Sequence, residues 1–139
     1  AGVANVREPV LLDVLAPRWP AAGAAFTAAF DALYCANMLH ISPWTTCAAL
    51  MQGAARHLAP QGALILYGPF LERAVPTSPG NRAFDASLRQ QDPAWGIRPL
   101  DDVTQEAARA DLQLEQRFAM PAHNLLLVFR RRRIPAPPA

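Results

Sequence analysis

The sequence predicts an α/β fold built on a mostly parallel β-sheet that closes with an antiparallel pair of strands. Short continuous apolar runs alternate with longer helical stretches, which is typical of strands covered by helices on both faces of a sheet. Two apolar segments near the C-terminus lie close enough in sequence to pair antiparallel. No repeat of about 20 to 50 residues is visible, which argues against a solenoid or a propeller.

The composition fits one globular domain. The chain has 139 residues, of which 52% are hydrophobic and 17% charged, and its 13 basic and 11 acidic residues give a net charge of +2. Chains of about 100 to 200 residues usually form one domain, and this hydrophobic fraction supports a buried core. We therefore expect residues 1–133 to form one domain and the Pro-rich residues 134–139 to be a disordered tail.

The sequence carries no signal for membrane insertion or export. No apolar run approaches the roughly 20 residues that cross a bilayer, and the N-terminus lacks a charged segment followed by an apolar one. Cys35 and Cys47 lie in apolar surroundings without the spacing of a zinc site or a disulfide framework. A cytoplasmic protein with reduced cysteines is the simplest interpretation.

The first third of the chain is predicted to hold two buried strands with a helix between them. The apolar run at 10–14 lacks polar alternation, which indicates a strand covered on both faces. The Ala-rich stretch 21–29 predicts a short helix. The next apolar run, 32–39, predicts a second buried strand.

A helix and a third strand are expected next. Ser42 can cap free helix amides, and Pro43 suits the first helical position because it has no amide to leave unpaired. These signals predict a helix over 43–58, which the Pro-Gln-Gly segment 60–62 ends. The apolar run 63–67 then predicts the third strand.

The second half of the chain is predicted to contain a loop, two helices and the closing strand pair. Pro and Gly residues mark the loop, acidic residues mark the start of the second helix, and a Pro turn separates the two strands. The predicted bounds are a loop at 71–80, helices at 82–90 and 101–110, and strands at 113–120 and 124–131.

Polar side chains follow the three predicted strands of the first half. Asp13 ends the first strand, Asn37 ends the second with His40 just beyond it, and Tyr67 ends the third. In sheets of this class, ligands bind outside the carboxyl ends of the strands. These side chains are therefore expected to converge on one pocket.

Each of these residues also has a purely structural interpretation. Asp13 could cap the turn before Pro17. Asn37 lies in an apolar stretch, where an unpaired amide would cost roughly 1–3 kcal/mol, so it needs either the backbone or a ligand as partner. His40 could be a satisfied structural histidine, although imidazole chemistry suits a general base.

Further polar and aromatic residues could line the same pocket. Trp44 and Tyr67 can present aromatic faces to a cation, although Trp44 could equally pack between helix and sheet. Asn81 and Asp85 are four residues apart on a predicted helix, so they share a face that points either into the cleft or to solvent. Asn124 lies in the turn before the last strand.

Several classes of chemistry find no support in the sequence. The spacing of His, Cys and carboxylate residues does not match a metal site, and no serine occupies a nucleophile elbow. The arginine run 130–133 could attract phosphate, but no aromatic residues are interleaved with it, so a solvated strand end is favoured over nucleic-acid binding.

Several motifs resemble those of a known family. The segment 58–66 (LAPQGALIL) resembles the helix end and fifth strand of class I S-adenosylmethionine-dependent methyltransferases. A longer series of motifs is similar to the uncharacterised methyltransferase-like protein 26 family, and the likeness extends from about residue 5 to residue 131. The motifs are CANMLHISPW at 35–44, YGPF at 67–70, Asn81, FD at 84–85, SLR at 87–89, PAWGIR at 93–98, MPAHNL at 120–125 and LVFR at 127–130.

The resemblance implies a Rossmann-like class I methyltransferase sheet of which only part is present. Strand 10–14 would correspond to the third strand of that fold, 33–37 to the fourth, 63–67 to the fifth, and the closing pair to the sixth and seventh. Strands one and two, with their Gly-rich turn and acidic residue, have no counterpart, so about a third of a domain of about 200 residues is expected to be missing.

The resemblance also assigns roles to individual residues, with S-adenosylmethionine as the cofactor. Asp13 and Val14 would flank the adenine, and Cys35, Ala36 and Asn37 would approach the methionine end. His40 would be the candidate base, and Tyr67 would be a second catalytic residue that faces the methyl acceptor. The implied substrate-binding residues are Trp44, Asn81, Asp85 and Asn124, whereas His123 stands where the resemblance leads us to expect a polar amide.

The partial sheet has a physical consequence. In the class I strand order the fourth strand lies beside the first, so strand 33–37 would expose its edge and strand 10–14 would be detached from the sheet. A bare apolar edge invites pairing with another chain, so we expect either a homo-oligomer through this edge or a chain that owes its solubility to residues upstream of this sequence.

Three functions remain open from the sequence. The first is a methyltransferase that acts on an unknown small-molecule or protein acceptor. The second is a non-catalytic interaction module that keeps the fold without a competent cofactor site. A weaker third is a nicotinamide-binding oxidoreductase of related topology, against which the Leu-x-Pro-x-Gly segment and the closing strand pair argue.

Overall fold

The computed structural model describes residues 2–133 and residue 138. Within them, strands and helices alternate from residue 30 onward. The strands are β1 (Phe30–Ala36), β2 (Leu58–Gly68), β3 (Phe70–Leu71), β4 (Arg98–Pro99), β5 (Leu112–Met120) and β6 (Asn124–Arg131). The α-helices are α1 (Thr45–His57), α2 (Pro79–Gln91) and α3 (Leu100–Arg109), and short 3-10 turns lie at Leu39–Ile41 and Pro121–His123.

The main sheet has four strands in the order β1-β2-β6-β5. β1 pairs parallel with β2, and β6 pairs antiparallel with both β2 and β5, so β6 alone runs against the other three strands. β3 and β4 form a separate two-stranded parallel sheet. The predicted α/β class and the closing antiparallel pair are confirmed.

The core lies on one face of this sheet, under α1 and α3. Inward residues of β2 and β6 alternate with outward ones, as the pleat of a strand requires. They pack against the apolar side of the two helices. The fully buried members of this core include Met51 of α1, Leu64 and Leu66 of β2, Val103 and Ala107 of α3, and Leu127 and Phe129 of β6.

The helix predicted at 43–58 is present as α1, but both of its ends differ from the prediction. Ser42 does not cap it, because the Ser42 hydroxyl donates to the Met38 carbonyl at 2.9 Å. The chain passes from α1 into β2 without a loop, so segment 60–62 lies inside the strand and does not end the helix. Arg131 stabilises this junction by donating to the carbonyls of Ala55 and Leu58 at 2.8 and 2.6 Å.

The strand predicted at 10–14 and the helix predicted at 21–29 are both wrong. Residues 5–29 have no helix or strand, and Leu11 is 94% exposed. The outer edge of β1 has no neighbouring strand among the described residues, so segment 10–14 has no partner with which to form a ladder. Gly23, which has a φ of +83°, interrupts the Ala-rich stretch in a left-handed conformation that a helix does not contain.

The strand predicted at 32–39 is present as β1, but it is shorter and less buried than expected. It ends at Ala36 because Asn37 adopts a left-handed conformation with a φ of +55°. β1 is an edge strand, and Tyr34 on it is 64% exposed because the face of the sheet opposite the core is open there. The edge predicted to be bare is therefore bare in the described residues, and its pairing with a second copy stays a prediction.

The elements predicted in the second half agree closely with the structure. α2 begins three residues earlier than predicted because the Ser78 hydroxyl accepts a hydrogen bond from the Asn81 amide at 3.1 Å. α3, β5 and β6 lie within one residue of their predicted bounds. Apart from residue 138, the tail predicted at 134–139 lies outside the described residues. Among the helices described, none is long and apolar enough to cross a bilayer.

Trp19 attaches the irregular N-terminal segment to the domain. Its ring is buried and stacks on His57 with 5.2 Å between ring centroids, and its Nε1 donates to the Val14 carbonyl at 3.2 Å. The ring lies directly over Gly53 of α1, where a Cβ atom would fall 2.1 Å from the Cζ2 atom of Trp19. The absence of a side chain at residue 53 is thus what lets the indole reach the helix.

Substitution Gly53→Ala tests this attachment. The added methyl group must displace the indole of Trp19, so we expect the free energy of unfolding to fall by about 1–3 kcal/mol in urea denaturation. Gly80→Ala is the matched control, because a Cβ at residue 80 near the start of α2 meets nothing within 4 Å. That variant should be unchanged or more stable by up to about 1 kcal/mol. Equal effects of the two substitutions would contradict the role of Trp19.

Candidate functional site

The carboxyl ends of β1 and β2 meet at one edge of the sheet. The Asn37 amide donates to the Tyr67 carbonyl at 2.8 Å, which fixes the end of β1 against β2. Gly68 follows Tyr67, and a Cβ atom there would lie 3.4 Å from Asn37 Oδ1 and 3.7 Å from His40 Cε1. Asn37, His40 and Gly68 are thus neighbours, as the convergence of strand ends predicted. Asn37 is exposed, however, so the expectation of a buried amide is wrong.

His40 lies on the 3-10 turn that follows β1 and is 6% exposed. Its ring packs edge-on against Phe84 of α2, with 5.5 Å between centroids, and its carbonyl accepts from the Gly96 amide at 3.1 Å. Burial lowers the pKa of His40 below its ordinary value, and the nearby charge of Arg98 lowers it further. The imidazole is therefore neutral at neutral pH and can accept a proton.

Arg98 holds the turn that carries His40. Its guanidinium donates to the Leu39 carbonyl at 3.2 Å, the Ser42 carbonyl at 2.8 Å and the Ala94 carbonyl at 2.7 Å. It also lies over the ring of Trp44, 5.5 Å from the centroid, in cation–π geometry. Trp44 is half-buried in this arrangement and packs against the core, as the helix-to-sheet alternative proposed.

A small cavity behind the strand ends brings the two predicted catalytic residues together. His40 and Tyr67 line it with Phe70 and Arg98, and Cys35 lines it from β1. Burial raises the pKa of the Cys35 thiol, so this side chain is uncharged at neutral pH. Nowhere in residues 2–133 do three His, Cys, Asp or Glu side chains gather in a way that could hold a metal ion.

A larger groove of about 190 Å³ lies beside this cavity, between the start of α2 and the turn that joins β5 to β6. Phe70 lines both spaces. Asn81 and Asn124, both predicted to bind substrate, line the groove. Asn124 Nδ2 donates to the Tyr67 hydroxyl oxygen at 3.2 Å, and Asn81 Nδ2 donates to the His123 carbonyl at 3.5 Å. The structure therefore gathers Tyr67, Asn81 and Asn124 at one place.

Three other predicted site residues lie elsewhere. Asp13 Oδ1 accepts from the Leu15 amide at 2.9 Å in the irregular N-terminal segment, which matches the turn-capping alternative. Val14 packs partly against the core. Asp85 holds the chain after α2, since its two carboxylate oxygens accept from the Ile97 amide at 2.8 Å and from Arg89 Nε at 3.1 Å.

Sequence reasoning missed several residues that shape this site. Arg98 and Gly96 belong to the PAWGIR motif, but nothing in the motif shows that the arginine reaches back to the turn at 39–42. Gly96 has a φ of +157°, and a Cβ there would lie 2.7 Å from Arg89 Nη2 and 3.1 Å from Asp85 Oδ1. Glu72 and Arg117, which pair across the groove, are 45 residues apart and carry no local signal.

Comparison with known proteins places this arrangement in a family and a fold. Residues 1–131 match the model of a family described as protein of unknown function DUF938. Structures of similar fold include LaPhzM, at 15% identity and a TM-score of 0.65, where the match covers 75% of this chain and 31% of that chain. They also include LepI in complex with SAM, at 14% identity and a TM-score of 0.66, with 76% of this chain and 27% of that chain covered. A third is an O-methyltransferase family 2 protein from Planctomyces limnophilus in complex with apigenin, at 21% identity and a TM-score of 0.65, with 73% of this chain and 30% of that chain covered.

These likenesses show the fold, in agreement with the class I methyltransferase sheet expected from the sequence. The chain spans about a third or less of the length of each of these structures. The shared part includes the mixed sheet, so the candidate site lies where ligands bind in sheets of this class, outside the carboxyl ends of the parallel strands.

The lowered pKa of His40 predicts a pH dependence of stability. Between the folded pKa and the ordinary value of 6.5, the unfolded chain binds a proton that the folded chain does not. The free energy of unfolding should therefore fall as the pH drops below 6.5, and His40→Gln should lose this part of the dependence. Urea denaturation of both proteins from pH 8 to pH 5 checks it. A difference between the two proteins that does not vary with pH would contradict a depressed pKa.

Proposed function

The chain belongs to the DUF938 family, and we propose that it forms the C-terminal portion of an S-adenosylmethionine-dependent methyltransferase. The observation that carries this proposal is the meeting of Asn37, His40 and Tyr67 at the carboxyl ends of two parallel strands. The similar fold of LepI in complex with SAM supports the choice of cofactor. The acceptor is a small molecule or a protein side chain.

The strand ends fit one wall of a site for S-adenosylmethionine. Ala36 and Asn37 are exposed, and glycine at position 68 leaves vacant the place where a Cβ atom would contact Asn37 Oδ1 and the His40 ring. The neutral thiol of Cys35 adds no charge to this wall. When bound, the cofactor supplies a methyl group made electrophilic by its sulfonium sulfur. We assign Cys35, Ala36 and Asn37 to its methionine end.

Asp13 and Val14 are proposed to contact the adenine. Asp13 is exposed and uses Oδ1 to cap its own turn, which leaves Oδ2 for a ligand, and Val14 offers a partly buried apolar surface. Both lie in the irregular segment that Trp19 attaches to α1. Trp19 contacts His57, at the end of α1 that leads into the start of β2, so this segment would have to leave that attachment to reach the carboxyl ends of the strands.

The chain supplies a proton acceptor and a hydrogen-bond donor for the acceptor substrate. His40, held neutral by burial, would take the proton that the attacking group loses. Because the Tyr67 oxygen accepts from Asn124, its own O–H stays available to orient the substrate. Correct placement of two reacting groups can lower a barrier by about 7–11 kcal/mol, so holding the substrate in line is the main contribution expected of this protein.

The remaining predicted residues would act at different distances from the substrate. Asn81 would contact it directly from the groove. Trp44 and Asp85 would act through other residues, since Trp44 covers Arg98 and Asp85 binds Ile97 and Arg89.

We further propose kinship with the methyltransferase-like protein 26 family and a cytoplasmic location. Two of the motifs that carry the kinship, YGPF at 67–70 and PAWGIR at 93–98, supply Tyr67, Gly68 and Arg98 to the site. Both cysteines are free thiols, as in a reducing compartment.

Calorimetry with S-adenosylmethionine and S-adenosylhomocysteine tests the proposed function. It is best done on this chain and on a version extended at its N-terminus, because one wall of the site alone is expected to bind weakly. In the extended protein, Asn37→Ala should weaken S-adenosylhomocysteine binding, whereas Gln90→Ala on the exposed face of α2 should not. Binding by neither protein would contradict the enzyme and favour the interaction module.

The proposed role of His40 predicts a specific split in the same extended protein. His40→Gln should reduce methyl transfer about 100-fold or more while the affinity for S-adenosylhomocysteine changes little, because a general base acts only in the chemical step. Equal losses in turnover and in cofactor affinity would show that His40 is structural.

A further inference from the structure

Apolar side chains form about half of the lining of the groove beside the strand ends. Phe70 and Leu125 lie nearest to the strand ends, Val75 and Pro76 come from the loop before α2, and Met120 comes from the end of β5. A cavity of about 190 Å³ with such walls suits a small ligand with an apolar body. The groove is therefore more than a solvated gap between surface elements.

One ion pair sets the charge of this groove. Glu72 and Arg117 are the only permanently charged residues among the described lining residues, and they bind each other in two-point geometry. Arg117 Nε lies 2.7 Å from Glu72 Oε2, and Arg117 Nη2 lies 2.5 Å from Glu72 Oε1. These hydrogen bonds raise the pKa of Arg117. Since each charge is matched by the other, the groove offers no net charge to a ligand.

Polar groups that can contact a ligand lie at the end of the groove nearest Tyr67. Asn81 Nδ2 donates to the His123 carbonyl, so Asn81 Oδ1 is available to accept a hydrogen bond from a ligand. Ala122 and His123 both have a φ of +59°, a left-handed conformation that is uncommon for residues other than glycine. In this conformation the turn brings the His123 carbonyl within reach of Asn81 near the start of α2. Asn124 bonds the Tyr67 hydroxyl, which joins the groove to the small cavity of His40.

We propose that this groove binds the methyl acceptor and that the acceptor is uncharged: a small molecule with an apolar body and one polar group directed at Tyr67. This inference rests on the proposed function. Its electrostatic part depends on the Glu72–Arg117 pair, which repels neither sign of charge but offers no free partner to a carboxylate or an ammonium group. A charged ligand would lose its hydration in the groove without gaining an ion pair.

The test uses three probes of similar size and different charge: phenol, benzoate and benzylammonium. Each is titrated at pH 8 into the ¹⁵N-labelled 139-residue chain, and the NMR chemical shifts of the backbone amides are followed. Phenol should bind most tightly and shift residues 70–81 and 117–125. Glu72→Gln frees Arg117 and should raise the affinity for benzoate about fivefold, and Arg117→Gln frees Glu72 and should do the same for benzylammonium.

The double variant Glu72→Gln, Arg117→Gln is the matched control. It keeps the groove neutral, so it should prefer phenol as the unmodified chain does. Charged probes that bind the unmodified chain as well as phenol does, or phenol shifts that fall outside the groove, would overturn the proposal. The measurement involves no methyl transfer and no cofactor, so its failure is distinguishable from a failure of S-adenosylmethionine binding.

Discussion

The guanidinium of Arg98 connects the parts of the chain on which the site depends. It binds the carbonyls of Leu39 and Ser42 on either side of His40, and the carbonyl of Ala94 in the loop after α2. A planar guanidinium can donate to three carbonyls and lie over an aromatic ring at the same time, whereas the ammonium group of a lysine could not. Burial lowers the pKa of His40, and the charge of Arg98 lowers it further. Arg98 therefore contributes both to the position and to the neutral state of the candidate base.

The second constraint is a sheet whose core lies on one side. α1 and α3 cover one face of the sheet, and Leu64, Leu66 and Phe129 are fully buried there. On other parts of the sheet large apolar side chains remain exposed, with Tyr34 at 64% and Phe118 at 46%. The strand ends are nevertheless well fixed, because the bond from the Asn37 amide to the Tyr67 carbonyl and the bond from Asn124 to the Tyr67 hydroxyl depend on the sheet itself.

The sequence was informative where local pattern and tertiary structure agree. α3, β5 and β6 could be placed within one residue because their periodicity, acidic start and Pro turn are local signals. The apolar run 10–14 has the same local appearance as a strand, but a strand also needs a neighbour, and the described residues offer none. Likewise, the positions of the strand ends predicted Asn37, His40 and Tyr67 from the sequence. Arg98, in contrast, binds carbonyls 56 and 59 residues away, and Glu72 and Arg117 pair over 45 residues, which local sequence patterns cannot show.

The central claim is that the carboxyl ends of β1 and β2 form one wall of a methyl-donor site with His40 beside the transferred group. A crystal structure of the N-terminally extended protein with S-adenosylhomocysteine tests it most directly. We predict that the ligand lies over Asn37 and Gly68, with its sulfur on the side of the His40 ring. A ligand bound at another edge of the sheet, with Asn37 and Gly68 facing only solvent, would contradict the account.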